Sequence, residues 1–363
     1  MKILSLYLPA YHKDKINDKA WGEGFTEWDN VKSGKPLFEG HYQPIVPLNH
    51  NYYDLSERKN IEHQIDLAKN YGIDGFVFYH YWFGNNVTAL MKPAELLLNE
   101  INKDIDYCFC WANHSWIKNW VNGNDEPIAK QDYGNEKEWK KHIEYLISFF
   151  KDKRYLKKDN RPMLYIYNMS DIPNFAEMLK VWNARLKEEK LDNLYIIEFI
   201  SSKNRDKNFE KTDAVVEFEP LYTTFFDISK LKLLKRYIIK KFDKIDFQDY
   251  NYLWKKIINR KRLYNGTPIQ KGCFVGWDNS ARKGYNCMIV KNNTPANFKK
   301  NLELLIHNNR KDSTNDFLVI NAWNEWSEGA YLEPDQKNHY KYLEALKDCK
   351  EGNKKDEEKD KHV

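Results

Sequence analysis

The chain has 363 residues, of which 31% are charged, and its 58 basic residues outnumber 53 acidic ones for a formal net charge of +5. This length suits one large α/β barrel with insertions, and a charge surplus of this size does not by itself indicate nucleic-acid binding. No run approaches the roughly 18 apolar residues of a membrane span, and the first residues, MKILSLYLPAYH, lack the cleavage site of a signal peptide.

The five cysteines are odd in number and show neither the spacing of a zinc site nor that of a disulfide framework. Cys108 and Cys110 flank Phe109 inside an apolar run, which is typical of small buried side chains. Reduced thiols fit a cytoplasmic protein, so we expect a cytoplasmic location.

Eight short apolar, β-branched or aromatic runs recur along the chain and predict strands. In chain order they cover 2–9, 72–82, 106–114, 162–168, 194–200, 213–220, 272–279 and 317–326. Helical patterns such as EKEWKKHIEYLISFF and NFKKNLELLIHNN separate most of them. Alternating strands and helices imply a parallel sheet, and eight such units predict a single (β/α)8 TIM barrel.

An open doubly wound sheet is the alternative fold. No glycine-rich phosphate fingerprint follows the first strand, so we favour the barrel. Residues 1–348 are then one catalytic domain, and the highly charged stretch 349–363 is predicted to be a disordered tail.

The connection after the first strand runs from about Pro9 to Asp54 and is far longer than an ordinary βα loop. It contains AWGEGFTEWDNVKSGKPLFEGHYQP, in which Trp21, Phe25 and Trp28 would be costly to leave in solvent. Because such loops lie over the mouth of a barrel, we interpret this one as a substrate-binding lid.

Aromatic and polar residues concentrate where the predicted strands end, in YHYW, WANH, FEP, GWDN and NAWNEW. Core packing explains buried tryptophans, but it should not favour one end of a barrel, which is the end that holds active sites. Aromatic faces with Asn, Asp, His and Glu among them suit a polyhydroxylated substrate. The candidate binding residues are Trp21, Trp28, His80, Trp82, Trp111, Asn113, His114, Glu219, Tyr222, Trp277, Asp278, Trp323, Asn324 and Trp326.

Residues 221–270 form an insertion between strands six and seven. Within SKLKLLKRYIIKKFDKI, apolar residues from Leu231 to Ile245 follow helical spacing and lysines fill the other face. A basic amphipathic helix near 230–245 could make peripheral contact with the inner face of a membrane. A barrel helix with a solvated basic face is the commoner explanation, and we favour it.

The stretch NAWNEWSEGAYLEP follows the last strand and contains two acids, Glu325 and Glu328, between tryptophans. Hydrolysis of a glycosidic bond needs one carboxyl to protonate the leaving oxygen and a second as base or nucleophile. Neighbouring indoles can desolvate a carboxyl, and Gly329 permits a tight turn. Alternatively, Glu325 is only a strand-end residue and Glu328 favours the start of a helix.

Ordered motifs from about residue 3 to 345 resemble WbsX-type proteins, which are relatives of glycoside hydrolase family 99 found in surface-polysaccharide (lipopolysaccharide O-antigen) gene clusters. The motifs include YLPAYH, WGEGFTEWDNV, KPLFEGHYQP, YGIDGFVFYHYWF, CWANHSW, VEFEP, GWDNSARKG and NAWNEWSEGAYLEP. The resemblance implies a (β/α)8 barrel that cleaves or transfers α-linked, mannoside-like glycans with retention of configuration.

The catalytic roles of the two acids come from this resemblance, because family 99 enzymes carry a Glu-Trp-x-Glu-Gly stretch that matches 325–329. It implies that Glu325 is the base for the sugar 2-hydroxyl, which forms a 1,2-anhydro sugar, and that Glu328 is the acid and later the base for water. Relatives often read Trp-Ala-Asn-Glu-Asn-Trp where this chain has His114 in place of the acid. We therefore expect His114 to alter substrate choice more than catalysis.

Two other functions stay open. A nucleotide-sugar transferase of O-antigen or capsule biosynthesis commonly binds a metal through Asp-x-Asp, but Asp104-Ile105-Asp106 precedes the third strand, at the wrong end of a barrel. A non-catalytic carbohydrate-binding barrel is the second alternative. The histidines show no metal-ligand spacing, so we expect no metal, no other cofactor and no nucleic-acid partner. The expected partner is an oligo- or polysaccharide, free or lipid-linked.

Overall fold

The computed structural model describes residues 1–117, 127–200, 212–242, 244–260, 266–309 and 316–360. Its central element is a barrel of eight parallel strands, each overlapping one of the predicted apolar runs, although the seventh shares only 272–274 with the run predicted at 272–279. They are β1 (Lys2–Tyr7), β2 (Gly75–Gly84), β3 (Asp106–Trp111), β4 (Arg161–Ile166), β5 (Tyr195–Ile200), β6 (Ala214–Glu217), β7 (Ile269–Phe274) and β8 (Phe317–Asn321).

Each strand pairs in parallel with its neighbour in sequence, and β1 pairs with both β2 and β8. In the closing registers Leu4 lies opposite Gly75 and Lys2 lies opposite Phe317. Inside the barrel the Tyr165 hydroxyl of β4 donates to Gln270 Oε1 of β7 at 2.6 Å. The predicted closed (β/α)8 barrel is therefore confirmed, and the open sheet is excluded.

Helices surround the barrel. They are α1 (Lys15–Trp21), α2 (Glu27–Ser33), α3 (Arg58–Asn70), α4 (Lys92–Asn99), α5 (Glu136–Phe150), α6 (Phe175–Glu188), α7 (Lys230–Lys241), α8 (Tyr250–Asn259), α9 (Ser280–Lys283), α10 (Pro295–Asn309) and α11 (Lys341–Asp360). Local chemistry explains several starts: the side chains of Asp14, Asn135 and Asp249 accept hydrogen bonds from the first turns of α1, α5 and α8.

The connections at the carboxyl ends of the strands carry the irregular structure. The long connection after β1 contains α1 and α2. The insertion after β6 contains α7 and a strand, Asp246–Asp249, that pairs in parallel with Met288–Lys291 after β7. After β8 the chain forms a small hairpin in which Asn324–Glu325 pairs antiparallel with Ala330–Tyr331. Because the strands are parallel, these connections meet at one end of the barrel.

The charged C-terminal stretch is more ordered than the sequence predicted. Helix α11 continues to Asp360, and 361–363 lie outside the described residues; the boundary at 349 stays a prediction. Cys349 is buried, and Lys350 Nζ donates to Asp74 Oδ1 at 2.5 Å and to the Gly72 carbonyl at 2.8 Å. Tertiary contacts therefore hold a segment whose composition alone suggests disorder.

Helix α7 also differs from the favoured interpretation. Its apolar side chains Leu231, Leu234, Ile238 and Phe242 are exposed instead of packing on the barrel. The reason is that Arg236, on the other side of the helix, is the buried residue and is paired with Asp246. Among the described residues no helix is both long and apolar enough to cross a bilayer.

Candidate active site

The hairpin after β8 holds the two predicted acids. Glu325 ends its first strand, and a 3-10 turn over Trp326–Glu328 leads to Gly329. Gly329 has φ of 62°, and a Cβ added there would lie 2.8 Å from the Asp278 backbone nitrogen. The expected tight turn is thus confirmed, and only glycine fits it without strain.

One buried arginine joins the acids. Arg282 Nη1 donates to Glu328 Oε1 at 2.8 Å, and its Nη2 lies 3.7 Å from Glu325 Oε2. Arg282 Nε and Nη2 also donate to Glu27 Oε1 at 2.9 and 2.6 Å, and the Ser327 hydroxyl donates to the same oxygen. Burial opposes the charge on Arg282, but Glu27, Glu328 and Glu325 outweigh it and raise its pKa well above the ordinary value. Three carboxyl groups therefore surround one permanent cation.

Glu325 is the least compensated member of this cluster. It is 7% exposed, and no hydrogen-bond donor of the described residues reaches its Oε2. Burial, followed by the negative charge of Glu328, raises the pKa of Glu325 to about 8, and Arg282 only partly offsets them. A carboxyl with a pKa of about 8 is mostly protonated at neutral pH, and Glu325 Oε2 has Arg282 Nη2 at 3.7 Å but no hydrogen-bond donor among the described residues.

Tyrosines form the surroundings of Glu325. Burial raises the pKa values of Tyr79 and Tyr81 well above the ordinary value, and the charge of Glu325 is the next contribution. Tyr167 responds in the same way to burial and then to Glu328. The Tyr11 hydroxyl donates to the Asn324 carbonyl at 2.6 Å and accepts from the Trp326 amide at 3.2 Å. Tyr79, Tyr81 and Tyr167 are therefore neutral, and they lie close enough to the two acids for the acid charges to raise their pKa values further.

The hairpin rests on a buried network around Glu333. Its carboxyl accepts hydrogen bonds from Tyr53 Oη at 2.6 Å, Gln64 Nε2 at 2.7 Å and Trp326 Nε1 at 2.7 Å. Burial raises the pKa of Glu333 to about 7, although these donors favour the ionised form. Trp326 also stacks on Tyr331 with ring centroids 4.1 Å apart. The network ties the hairpin to α3 and to the connection after β1.

Asp278 is a support for the hairpin. Its Oδ2 is bonded to His41 Nε2 at 2.7 Å and to Gln43 Nε2 at 3.0 Å, while its backbone N–H donates to the Glu328 carbonyl at 2.7 Å. Burial opposes ionisation, but the hydrogen bonds from His41, Ser280 and Gln43 prevail and lower the pKa of Asp278. Asp278, a candidate binding residue, is thus engaged in bonds that support the hairpin.

Three residues predicted from β2 and β3 point toward the helices. His80 Nε2 lies 2.8 Å from His142 Nε2 of α5, and burial lowers the pKa of His80 to about 3. Trp82 stacks on the same histidine at 4.6 Å, and Trp111 packs against Trp182. Strand side chains alternate between two faces, so the cleft-side residues of β2 are Tyr79 and Tyr81, one position away from those predicted.

Glu219 and Tyr222 belong to a buried ion cluster next to β6. Arg260 Nη1 donates to Glu217 Oε2 and to Glu219 Oε1, both at 2.7 Å, and the guanidinium lies 4.6 Å from the Tyr222 ring centroid. The two acids and Arg260 are almost fully buried. The two carboxyl groups thus compensate the charge of Arg260, and the structure places Glu219 and Tyr222 in this buried cluster.

The remaining buried candidates have structural contacts. The Asn324 side chain bonds to the Leu8 backbone N–H at 2.7 Å and C=O at 2.9 Å, and Asn113 bonds to the Asn168 backbone in the same manner at 2.9 and 2.7 Å. Each fills a gap where a strand pairing would otherwise continue. Of the remaining candidate tryptophans, those that are at most 4% exposed, as packing side chains are, are Trp28, Trp277, Trp323 and Trp326.

Two further candidate binding residues, His114 and Trp21, are partly exposed. The His114 ring centroid lies 5.4 Å from that of Tyr167, which senses the charge of Glu328. Trp21 is stacked on Phe25 at 5.7 Å. His114 therefore lies on the same side of the barrel as the paired acids.

Sequence reasoning missed Arg282, Glu27 and the tyrosines of β2. Glu27 and Arg282 are 255 positions apart, so no local pattern relates them, although each stands in a motif that was noticed. The tyrosines could have been found by applying the strand alternation to YHYW. Within the described ranges, no group of His, Cys, Asp and Glu side chains is placed to hold a metal ion. Asp106 of the Asp-x-Asp pattern instead forms an ion pair with Lys2 at 2.6 Å, at the amino end of the barrel.

Comparisons with known proteins agree with this architecture. The chain is 29% identical over 352 residues to the uncharacterized protein WxcX of Xanthomonas campestris pv. campestris, covering 95% of this chain and 49% of that protein. The chain thus spans about half the length of the curated relatives it matches.

Solved structures share the fold. A glycoside hydrolase-like protein superposes with a TM-score of 0.57 at 13% identity, covering 96% of this chain and 93% of the other. The family 99 endo-alpha-mannosidase of Bacteroides thetaiotaomicron superposes with a TM-score of 0.55 at 13% identity, covering 97% of both chains. The family described as Glycosyltransferase WbsX matches residues 3–346. This chain belongs to the WbsX family.

Proposed function

We propose that the chain is a retaining glycoside hydrolase or transglycosylase that acts on an α-linked, mannoside-like glycan of a surface polysaccharide or its lipid-linked precursor. The observation that carries the proposal is Glu325 Oε2, a buried carboxyl oxygen beside Arg282 and Glu328 to which no group in the described part of the chain donates a hydrogen bond. An unsatisfied buried polar atom costs stability and needs a reason, and a sugar hydroxyl would supply the missing donor.

The proposed reaction uses the two acids in opposite senses. Ionised Glu325 removes the proton of the 2-hydroxyl, the resulting oxygen attacks the anomeric carbon, and the bond to the leaving oxygen breaks as Glu328 protonates it. Water or a second sugar, deprotonated by Glu328, then opens the 1,2-anhydro ring, and O2 recovers its proton from Glu325. Two inversions give retention, and the mechanism needs no carboxylate nucleophile, unlike most retaining enzymes.

Arg282 and the tyrosines have supporting roles in this proposal. Arg282 keeps a positive charge beside both acids, so it stabilises the negative charge that moves between them. His114 stands where relatives carry an acid, and we propose that it contacts the sugar and influences specificity. Such a contact would make binding weaken when His114 is replaced, with less effect on turnover of bound substrate.

The experiment compares wild type with Glu325→Gln and Glu328→Gln on α-linked mannosides and lipid-linked glycans, using Glu62→Gln as the matched control. Glu62 is a surface acid that pairs with Arg58. We expect both site variants to lose at least about a hundredfold in kcat and the control to be unchanged. Equal glycan binding by all proteins with no turnover by wild type would instead identify a carbohydrate-binding barrel.

A substrate without the 2-hydroxyl tests the chemistry. The proposed mechanism predicts that a 2-deoxy glycoside binds but is not cleaved, because the internal nucleophile is missing. Product analysis by NMR should show the α-anomer first. Cleavage of the 2-deoxy substrate at an undiminished rate would contradict the 1,2-anhydro intermediate while leaving a glycosidase intact.

A glycosyltransferase is the second candidate because the family description carries that name. The Asp104–Asp106 pattern does not support a metal-dependent form, since Asp106 begins β3 at the end opposite Glu325 and Asp104 pairs with Lys69. Tight, specific binding of a nucleotide sugar, measured by calorimetry, would favour this alternative. We also propose a cytoplasmic location, which five free and buried cysteines support.

A further inference from the structure

Exposed apolar side chains concentrate at one part of the rim of the barrel. Of the twelve large apolar side chains that are exposed among the described residues, seven lie between 231 and 285. They are Leu231, Leu234, Tyr237, Ile238, Phe242, Phe247 and Tyr285. All of them belong to the connections that follow β6 and β7, at the end of the barrel where Glu325 lies.

The orientation of α7 is determined by a buried anchor. Arg236 Nε donates to Asp246 Oδ2 at 2.6 Å, another of its guanidinium nitrogens donates to the Thr224 carbonyl, and the guanidinium lies 4.8 Å from the Phe225 ring centroid. Both charged partners are almost fully buried. Because Arg236 faces inward, the opposite face of α7 must face outward.

That outward face is an apolar stripe. Leu231, Leu234, Ile238 and Phe242 follow i, i+3, i+7, i+11 spacing and are 80%, 57%, 48% and 65% exposed. Phe247, beside α7, is also exposed, and its ring centroid is 5.4 Å from that of Phe38 in the connection after β1. A stripe of this kind is unfavourable in water, so it indicates a surface that is covered by something else.

Lysines border the stripe. The sequence of α7, KLKLLKRYIIKK, contains six basic residues and no acid. The side chains of Lys230, Lys235 and Lys241 are exposed beside the stripe, and Lys291 Nζ lies 3.8 Å from the Phe247 ring centroid. Protein–protein interfaces are depleted in lysine, whereas apolar stripes bordered by lysines are typical of helices that lie on anionic bilayers.

We propose that α7 docks the rim of the barrel on the surface of a bilayer that contains anionic phospholipid. The apolar stripe enters the acyl boundary and the bordering lysines contact the phosphate groups. The mouth of the barrel is then held close to the lipid headgroups. Where the proposed function holds, this position delivers lipid-linked glycans to Glu325 and Glu328, but docking itself does not depend on that function.

The test is co-sedimentation of the full chain with two kinds of vesicle, pure phosphatidylcholine and phosphatidylcholine containing a third of phosphatidylglycerol. We expect binding to the anionic vesicles that weakens as salt is raised, and little binding to the neutral ones. Leu234→Ser with Ile238→Ser should lower the partition coefficient at least about tenfold, and Lys235→Glu with Lys241→Glu should lower it by about the same factor.

The matched control is Leu304→Ser with Lys300→Glu, a similarly exposed pair on α10. It should bind vesicles as wild type does, and all variants should keep the wild-type melting temperature. A polarity-sensitive dye at Ile238→Cys should shift to the blue on anionic vesicles, while the same dye at Leu304→Cys should not.

Three results would overturn docking on a bilayer. They are absence of binding to anionic vesicles, an unchanged dye at position 238, and self-association without vesicles that the Leu234→Ser, Ile238→Ser variant abolishes. The last result would identify the stripe as a contact between copies of this chain. Turnover of a water-soluble glycan is measured separately, so failure of docking is distinguishable from failure of the proposed function.

Discussion

At the scale of single residues, the central feature is that Glu325 is buried next to the negative charge of Glu328, while the cation of Arg282 is closer to Glu328 than to Glu325. Arg282 makes its short contact with Glu328 at 2.8 Å and stands 3.7 Å from Glu325. The pKa of Glu325 is consequently raised to about 8, with burial as the main cause and Glu328 as the second. At neutral pH the Glu325 carboxyl is thus mostly protonated. The proposed mechanism needs Glu325 as a base, so Glu325 must lose this proton before the reaction.

The pH dependence of kcat/KM tests this requirement, because kcat/KM reports ionisations of the free enzyme. With Glu325 as the base and Glu328 as the acid, kcat/KM should depend on both ionisations, and the one that belongs to Glu325 should lie near pH 8, because burial and Glu328 raise the pKa of Glu325 to about 8. In Glu328→Gln the repelling charge is gone, so the rising limb of any residual activity should move to lower pH. A profile without an ionisation near pH 8 would contradict control of the reaction by Glu325.

The same ionisation affects stability. The folded state raises the pKa of Glu325 above its ordinary value of 4.5, so it binds the proton more tightly than the unfolded chain does. Its stabilising contribution is complete below about pH 4.5 and is lost as pH rises through about 8.

Glu325→Gln imitates the protonated form and should therefore melt a few degrees above wild type at pH values beyond 8. The difference should disappear below about pH 4.5, where the Glu325 carboxyl of wild type is protonated in both the folded and the unfolded state. Differential scanning fluorimetry across this range measures it, with Glu62→Gln as the control that should show no difference. Identical melting curves at alkaline pH would mean that Glu325 is not desolvated.

At the scale of elements, β2 separates two functions on its two faces. Tyr79 and Tyr81 sense the charge of Glu325, while His80 and Trp82 contact α5 on the outside of the barrel. The alternation of side chains along a strand is responsible. Neighbouring residues of β2 therefore differ in role, with Tyr79 and Tyr81 near the acids and His80 and Trp82 packed against α5.

Substitutions on the two faces should have different effects. Tyr81→Phe should lower kcat/KM about tenfold with an unchanged melting temperature, since it removes one hydroxyl near Glu325. Trp111→Ala, on the helix side of the adjacent strand, should lower the free energy of unfolding by about 3–5 kcal/mol. Urea unfolding and steady-state kinetics on both variants check this, and a catalytic defect of Trp111→Ala without instability would contradict the assignment.

The network around Glu333 links three elements beneath the site. Glu333→Ala would leave the Tyr53 hydroxyl, the Gln64 amide and the Trp326 indole without their acceptor in the interior. We expect a loss of about 2–5 kcal/mol in unfolding free energy. Glu333→Gln keeps one acceptor oxygen and should lose less. Equal stability of wild type and Glu333→Ala in urea would show that the network is not needed.

At the scale of the whole molecule, the C-terminal helix packs back onto the start of the barrel. Lys350 of α11 donates to Asp74 Oδ1, and Asp74 Oδ2 accepts from the Ile3 amide at 2.7 Å. Cys349 is buried against α10, where its thiol donates to the Lys299 carbonyl at 3.5 Å. The last helix therefore helps to hold β1 and β2 at the point where the barrel closes.

Shortening the chain tests this contribution. A chain ending at 348 lacks both contacts and should lose about 1–3 kcal/mol in unfolding free energy, whereas one ending at 352 should match the full chain. Denaturant unfolding of the three lengths provides the comparison. Equal stability of the 348-residue and 352-residue chains would support the predicted domain boundary at residue 348.

The predictable part of this protein depends on patterns within short windows. The eight apolar runs and the helical periodicity between them determine the barrel, because strands and helices each have a fixed side-chain period. The hairpin with Gly329 was predictable for the same local reason. The sequence does not show whether His80 and Trp111 point into the barrel or toward the helices, because a strand that is apolar on both faces does not identify its inner side.

The amino-acid sequence alone thus determined a parallel eight-stranded barrel and two acids after its last strand, since both are properties of consecutive residues. Tertiary structure decided which groups surround those acids. Arg282 meets Glu27 across 255 positions, and Arg236 turns the apolar side of α7 outward by pairing with Asp246. Charges and buried area act between residues that are close in space, so contacts far apart in the chain become visible only after it folds.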